Sequence, residues 1–166
     1  MAGRARQAPH VSLATFQAAM TGVRRLALDT STILIAGDAQ DPRHACAAWL
    51  MDEVERGAFG ECIISAITVT ETLVRPMSAS FSEGVAAQTA LRNYPHLDVA
   101  TLDFDTAVEV AHVRAVTKLK TPDAVVIGTA IAHQVQAIVH ADGDWARKAK
   151  TYSKTLTFIC LDDHCP

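Results

Sequence analysis

The sequence predicts an α/β fold in which helices accompany a mostly parallel sheet of about five strands. Five short apolar runs predict the strands, and most of these runs are separated by segments with helical periodicity. The chain has 166 residues, a length typical of one domain. Because 49% of the residues are hydrophobic and only 20% are charged, intrinsic disorder is excluded.

The first 22 residues differ in composition from the remainder of the chain. They are rich in Ala and Arg, and Leu13, Phe16 and Met20 fall on one face of a short helix. We therefore expect an N-terminal extension over residues 1–22 and a single domain over residues 23–166.

The first half of the domain is predicted to contain two strands and three helices. The runs at 26–28 and 62–67 are apolar without alternation, as in strands buried on both faces of a sheet. A helix is expected between them because apolar residues recur at spacings of three and four. These residues are Cys46, Trp49, Leu50 and Val54. Two further helices are expected at 68–74, closed before Pro76, and at 82–93.

The second half is predicted to contain three strands and two helices. The strands are expected at 98–102, 137–140 and 156–160, and the first helix at 104–119. The second helix opens with Pro122 in its first turn and is apolar nearly all round, which is typical of a helix buried between other elements. Gly128 lies inside it and predicts close packing against a neighbour.

Composition narrows the classes of function. Fifteen Lys and Arg against 18 Asp and Glu give a net charge of −3, which disfavours nucleic-acid binding through overall charge. No apolar stretch is long enough for a membrane span, and no signal peptide is recognisable, so we expect a cytoplasmic protein without membrane contact. The four cysteines form no CxxC pair and are expected to be reduced, mostly buried thiols.

Four acidic residues are predicted to meet at one edge of the sheet. Asp29 follows the first strand, Glu71 lies one helical turn beyond the second, and Asp142 follows the fourth. Asp123 opens the buried helix that leads into the fourth strand, so it should reach the same edge. Converging carboxylates repel one another, and a divalent cation reverses that cost. Because all-oxygen ligands suit Mg²⁺ or Mn²⁺, the pattern predicts metal-assisted phosphoryl chemistry.

Each acid also has a purely structural interpretation. Asp29 could cap the turn after its strand, and Glu71, three residues after Thr68, could complete a capping box. Asp123 could favour the helix dipole, and Asp142-Gly143 could form an ordinary turn. These interpretations do not explain why all four acids fall at one edge of the predicted sheet.

Four segments in this order and spacing resemble the PIN-domain family, and most of all its VapC-like toxin ribonucleases from prokaryotic toxin–antitoxin systems. The resemblance covers about residues 24–161. The segments are Leu28-Asp29-Thr30-Ser31, residues 68–73, residues 121–130 from Thr121-Pro122-Asp123 onward, and His140-Ala141-Asp142-Gly143-Asp144-Trp145.

The resemblance implies a PIN-like three-layer α/β/α sandwich and a Mg²⁺- or Mn²⁺-dependent endoribonuclease. It assigns both catalysis and metal binding to the same four residues, Asp29, Glu71, Asp123 and Asp142. It assigns a supporting hydroxyl to Thr30 and a secondary acid to Asp144. It also implies a homodimer and a small antitoxin that silences the enzyme.

His140 is the clear departure from the family pattern, which commonly has Thr or Ser two residues before the last acid. The histidine could replace that hydroxyl as a hydrogen-bond donor, bind phosphate, or be an ordinary residue at a strand end.

An RNA substrate requires cations around this acidic edge. The candidates for phosphate contact are Arg75, Arg114, Lys120, Arg147 and Lys148. Two other functions stay open at this point: a PIN-like module that binds RNA or protein without cleavage, and a housekeeping RNA-processing nuclease.

Overall fold

A five-stranded, fully parallel sheet forms the centre of the protein in a computed structural model that describes residues 12–165. The strand order is β3-β2-β1-β4-β5. The strands are β1 (Arg25–Leu28), β2 (Glu61–Ser65), β3 (Asp98–Ala100), β4 (Ala137–His140) and β5 (Thr157–Cys160). The predicted α/β fold with a parallel sheet of five strands is confirmed.

Eight α-helices accompany the sheet in residues 12–165. They are α1 (Leu13–Ala19), α2 (Thr30–Ala36), α3 (His44–Glu55), α4 (Ala66–Ala79), α5 (Phe81–Arg92), α6 (Phe104–Thr117), α7 (Thr121–Ala132) and α8 (Trp145–Lys148). Among these described helices, none combines the length and the apolar character that a membrane crossing requires.

The two faces of the sheet bury different sets of helices, which makes three layers. Because side chains alternate along a strand, Leu26 and Leu28 of β1 face one core and Ala27 faces the other. The first core also contains residues of α1, α2 and α3, and the second contains residues of α6, α7 and α8. The implied α/β/α sandwich is confirmed by this arrangement.

The structure corrects the sequence prediction around two helices. Helix α2 begins directly after Asp29 and fills the stretch between β1 and Gly37, for which the sequence pattern predicts no helix bounds. The helix expected at 68–74 begins at Ala66 and passes through Pro76 to Ala79. Proline removes only one backbone donor, and the N–H of Ser80 still bonds to the Pro76 carbonyl, so the helix continues for another turn.

The expectation of four reduced cysteines is wrong for two of them, because Cys46 and Cys165 form a disulfide. They are 119 residues apart in sequence, yet α3 and the C-terminal segment bring their Cα atoms to 6.7 Å. Cys62 and Cys160 are free and buried.

The predicted N-terminal helix is present as α1 and packs on the first core, the one that contains Leu26 and Leu28. Phe16 is buried, and its ring lies edge-on to that of Trp49 at a centroid distance of 5.8 Å. The first eleven residues of the predicted extension lie outside the described part of the chain, so the division into extension and domain stays a prediction.

Candidate active site

The sheet has a topological switch point between β1 and β4. From β1 the chain continues to β2 and β3 on one side, whereas β4 and β5 lie on the other side. In open parallel sheets the crevice at the carboxyl ends of such neighbouring strands is where ligands bind. Asp29 follows β1 directly, and its backbone N–H donates to the Val139 carbonyl of β4 at 3.0 Å. Asp142 comes two residues after β4.

Asp29 stands half-buried at the start of α2. Its Oδ2 accepts hydrogen bonds from the Ser31 backbone N–H at 3.2 Å and from the Ser31 hydroxyl at 2.5 Å. Burial raises the pKa of Asp29 above its ordinary value, and the nearby Glu71 carboxylate adds to this rise. Asp29 therefore caps α2, and its carboxylate also lies near the carboxylate of Glu71.

Glu71 does not take part in a capping box. Ser65 caps α4 instead, with its Oγ accepting from the Thr68 N–H at 3.2 Å. The helix thus starts two residues earlier than predicted, and Glu71 lies in its second turn. There its Oε2 accepts a hydrogen bond from the Thr30 hydroxyl at 2.7 Å.

The carboxyl group of Asp123 is affected by all three of the other acids. It lies half-buried in the first turn of α7. Burial raises the pKa of this carboxyl above its ordinary value, and Asp142, Asp29 and Glu71 raise it further. Lys120, just before α7, has a smaller opposing effect. The four carboxylates therefore share one electrostatic neighbourhood at the carboxyl edge of the sheet.

Asp142 and Asp144 have different surroundings. Asp142 is exposed, and its Oδ1 accepts from the Asp144 backbone N–H at 2.8 Å, as expected for a turn. The Asp144 carboxylate pairs with Arg147 and Lys148, each at 2.9 Å. Hydrogen bonds from Lys148 and Arg147 hold the pKa of Asp144 below its ordinary value. Asp144 is therefore directed toward its own helix and not toward Asp142.

The candidate phosphate-binding residues fall into two groups. Arg147 and Lys148 are paired with Asp144, so they are partly neutralised before any substrate arrives. Arg75, Arg114 and Lys120 are exposed. Arg75 follows Glu71 by one helical turn, and Lys120 lies close enough to Asp123 to affect its pKa.

His140 is enclosed by aromatic rings and does not face solvent. Its side chain is fully buried and stacks on Trp145 at a centroid distance of 4.7 Å. Its Nδ1 accepts from the Asp142 backbone N–H at 3.2 Å, so at this nitrogen it is an acceptor and not a donor. Burial lowers the pKa of His140 to about 4, which leaves the ring neutral at pH 7. Because the ring is buried against Trp145 and Phe158, it is not placed to contact a phosphate at the surface.

The donor set fits a hard divalent cation in its chemistry. The four side chains offer only carboxylate oxygens, and their mutual repulsion is the cost that a cation would remove. Within residues 12–165, however, no three His, Cys, Asp or Glu side chains are grouped closely enough to hold a metal ion. The other three acids are thus close enough to Asp123 to raise its pKa, but no three of the four side chains are grouped as metal ligands among the described residues.

The hydroxyls of Thr30 and Ser31 both follow Asp29 in the sequence, and either could hold its carboxylate. The family resemblance assigns the supporting role to Thr30, but Thr30 contacts Glu71, and Ser31 contacts Asp29. The run Asp29-Thr30-Ser31 contained the signal, because hydroxyls on successive residues at a helix start point in different directions.

Comparison with known protein families identifies this arrangement. The family model of the PIN domain matches residues 26–151. The chain belongs to the PIN-domain family. The acids singled out above all lie within the matched region, which begins in β1 and ends beyond α8.

Solved structures share the fold at low sequence identity. A toxin–antitoxin complex from Klebsiella pneumoniae is 23% identical, with a TM-score of 0.56, over 73% of this chain and 90% of that one. VapC20 from Mycobacterium tuberculosis, a toxin that cleaves the sarcin–ricin loop, is 21% identical, with a TM-score of 0.59, over 74% and 93%. VapBC2 from Rickettsia felis, bound to a promoter DNA fragment, is 13% identical, with a TM-score of 0.59, over 80% and 96%. No curated protein matches this chain.

Proposed function

We propose that this PIN domain is a metal-dependent endoribonuclease that hydrolyses RNA phosphodiester bonds, and that it is the toxin of a type II toxin–antitoxin pair. One observation carries the proposal: Asp142, Asp29 and Glu71 all lie near enough to Asp123, at the carboxyl edge of the sheet, to raise its pKa. A scaffold gains nothing from the repulsion among these groups, whereas a metal site requires such a donor set.

Asp29, Glu71, Asp123 and Asp142 would hold Mg²⁺ or Mn²⁺. When bound, the ion supplies activation of a water molecule and stabilisation of negative charge at the phosphodiester. The chain itself orients the carboxylates, since Thr30 donates to Glu71 and Ser31 donates to Asp29. No side chain acts as a covalent nucleophile in this scheme.

Exposed cations around the acids would bind the phosphates of RNA. Arg75 and Lys120 stand next to two of the carboxylate-bearing helix turns, and Arg114 lies on α6. Arg147 and Lys148 would join them when phosphate competes with Asp144 for their side chains. Such a local rim gives RNA contact despite the net charge of −3. An RNA substrate and the VapC-like fold together favour a cytoplasmic location.

A small antitoxin protein is the expected inhibitor, because solved structures of this fold include toxin–antitoxin complexes. As its binding surface we propose an apolar cavity of about 430 Å³ between α2, α3, α4 and α5. Small residues such as Ala48 and Ala90 line the cavity, and Thr72 connects it to Glu71. An Ala48→Phe variant should cleave RNA but resist inhibition by the antitoxin.

A homodimer is proposed from an apolar face on α6 and the segment before it. Phe104 is 81% exposed, and Val99, Leu102 and Val108 are also exposed. Phe104 and Val108 are one helical turn apart on α6, and exposed apolar side chains that neighbour one another in this way are typical of a protein–protein interface. A second copy of the chain is the occupant that we propose for this face.

The proposal is tested by cleavage of mixed structured RNAs with Mg²⁺, Mn²⁺ or a chelator. We expect cleavage that requires the ion and that Asp29→Asn or Asp123→Asn abolishes without loss of the fold. Glu55→Gln is a matched control, because Glu55 is exposed at the end of α3, beside the start of β2 and away from the carboxyl edge. Activity that survives either Asn substitution, or survives chelation, refutes the assignment.

The alternative of a PIN-like module without catalysis gains support from one observation, the absence of a group of three metal-binding side chains in the described residues. Isothermal titration with Mn²⁺ separates the two functions. A nuclease should bind the ion and lose that binding in Asp29→Asn, whereas a non-catalytic module should show neither effect.

A further inference from the structure

We propose that Ser31 and His140 are positioning residues, which fix the turn carrying Asp142 against the Asp29 carboxylate through two successive backbone amides. The inference rests on the proposed function and deepens it, because it says how two acids from distant parts of the chain are kept in register. His140 is fully buried and Ser31 is half-buried, and neither is needed as a metal ligand.

Ser31 connects the two sides of the crevice through one hydroxyl. Its Oγ donates to Asp29 Oδ2 at 2.5 Å and accepts from the Ala141 backbone N–H at 3.0 Å. A hydroxyl has one proton and two lone pairs, so it can make both bonds at once. Ser31 and Ala141 are 110 residues apart, and α2 and the turn after β4 are thereby tied together at the acids.

His140 holds the next amide along the chain. The Asp142 N–H donates to its Nδ1 at 3.2 Å, which places the proton of the neutral ring on Nε2. Nε2 is buried without a hydrogen-bond partner among the described residues. Among the described residues, the imidazole of His140 therefore makes its hydrogen bond to the Asp142 N–H and no other.

Aromatic packing fixes the direction of the His140 ring. Trp145 stacks on one face at an interplanar angle of 21°, and Phe158 meets it edge-on at a centroid distance of 6.1 Å. Because the side chain is fully buried, it has little freedom to turn its Nδ1 away from Asp142.

The two contacts leave the turn little freedom. The N–H groups of Ala141 and Asp142 are both held by side chains, and the Asp142 carboxylate itself accepts from the Asp144 N–H. Groups that orient a metal ligand in this way typically contribute a factor of 10 to 100 in metal affinity. Ser31 and His140 should therefore control the affinity of the site for the metal ion.

The experiment compares four variants by Mn²⁺ titration and by amide hydrogen exchange. Ser31→Ala should weaken Mn²⁺ binding about 10- to 100-fold and make the Ala141 amide exchange about fivefold faster. His140→Leu should do the same at Asp142. Ser31→Thr and His140→Asn each retain a side-chain acceptor, and both should restore affinity and exchange toward the wild-type values.

Thr32→Val is the matched control. Thr32 is buried on the same helix, but its hydroxyl donates to the Val139 carbonyl at 2.9 Å and to neither acid. This variant should lower the melting temperature while leaving Mn²⁺ affinity and the exchange of the Ala141 and Asp142 amides unchanged. A merely structural role for Ser31 would make Ser31→Ala behave in the same way.

The outcomes distinguish failure of the positioning role from failure of the metal-dependent function. If the wild type binds Mn²⁺ and both Ser31→Ala and His140→Leu match it in affinity and exchange, the positioning role is overturned and the proposed function stands. If the wild type binds no Mn²⁺, the metal-dependent function fails. In that case, faster exchange at the two amides still supports the positioning contacts, and unchanged exchange overturns them.

Discussion

Gly128 offers a quantitative test of how α7, the helix that carries Asp123, is held in place. A Cβ atom added at Gly128 would lie 2.6 Å from Val110 Cγ2 and 2.7 Å from Val110 Cα on α6. Non-bonded carbons are favourably placed at 3.5–4.0 Å, so α6 and α7 would have to separate by about 0.8 Å or more. Because the obstacle includes backbone atoms, rotation of a side chain does not relieve it.

The expected effect of Gly128→Ala is a net loss of stability. Overpacking a core typically costs about 1–3 kcal/mol, and the rigid obstacle places this site near the upper end. Alanine returns about 1 kcal/mol through its better helix propensity. The net loss is about 2 kcal/mol, which lowers the melting temperature by roughly 4–8 °C for a chain of this size.

Thermal and urea unfolding followed by circular dichroism measure this difference. Gly37→Ala is the control, because a Cβ at Gly37 would meet its nearest atom at an ordinary 3.6 Å. Its stability should stay within about 0.5 kcal/mol of the wild type. If Gly128→Ala melts at or above the wild-type temperature, the close contact between α6 and α7 is refuted.

Three further predictions concern charge, assembly and the disulfide. Burial and neighbouring acids raise the pKa of Asp123, so its contribution to stability is full below pH 3.8 and is lost as pH rises through the raised pKa. Metal-free Asp123→Asn should therefore melt higher than the wild type at pH 7, with a gain that shrinks as pH falls toward 3.8; a lower melting temperature at pH 7 contradicts the repulsion. The proposed homodimer should give twice the mass of the chain in light scattering after size exclusion, and Phe104→Asp should reduce this to the mass of one chain; a monomeric wild type, or a dimer that the substitution leaves unchanged, contradicts the proposed interface. Reduction of Cys46–Cys165, or its replacement by two alanines, should cost about 2–5 kcal/mol in urea unfolding, and equal stability with and without reductant would show that no such bond constrains the chain.

The acids and their strands could be predicted because each signal is local. An apolar run followed by an acid marks the end of a buried strand, and parallel strands share one carboxyl edge. Apolar runs predicted the five strands, and Pro122 with the apolar residues after it predicted the helix that they open; the structure confirms these elements. The roles of the acids stay predictions until metal binding is measured.

Other features depend on contacts between distant segments. The disulfide joins residues 119 apart, and the Ser31 hydroxyl meets an amide 110 residues away, so no spacing in the sequence reveals either. The burial of His140 depends on Trp145 and Phe158, which reach it from other elements. Pro76 misled the prediction because tertiary packing of α4 outweighs the local loss of one backbone bond.

Anomalous diffraction from a crystal soaked with Mn²⁺ tests the central claim most directly. The account predicts a peak that lies among the carboxylates of Asp29, Glu71, Asp123 and Asp142 and disappears in the Asp29→Asn variant. A well-diffracting crystal without a peak at this edge of the sheet, or with the ion bound only elsewhere, would contradict it.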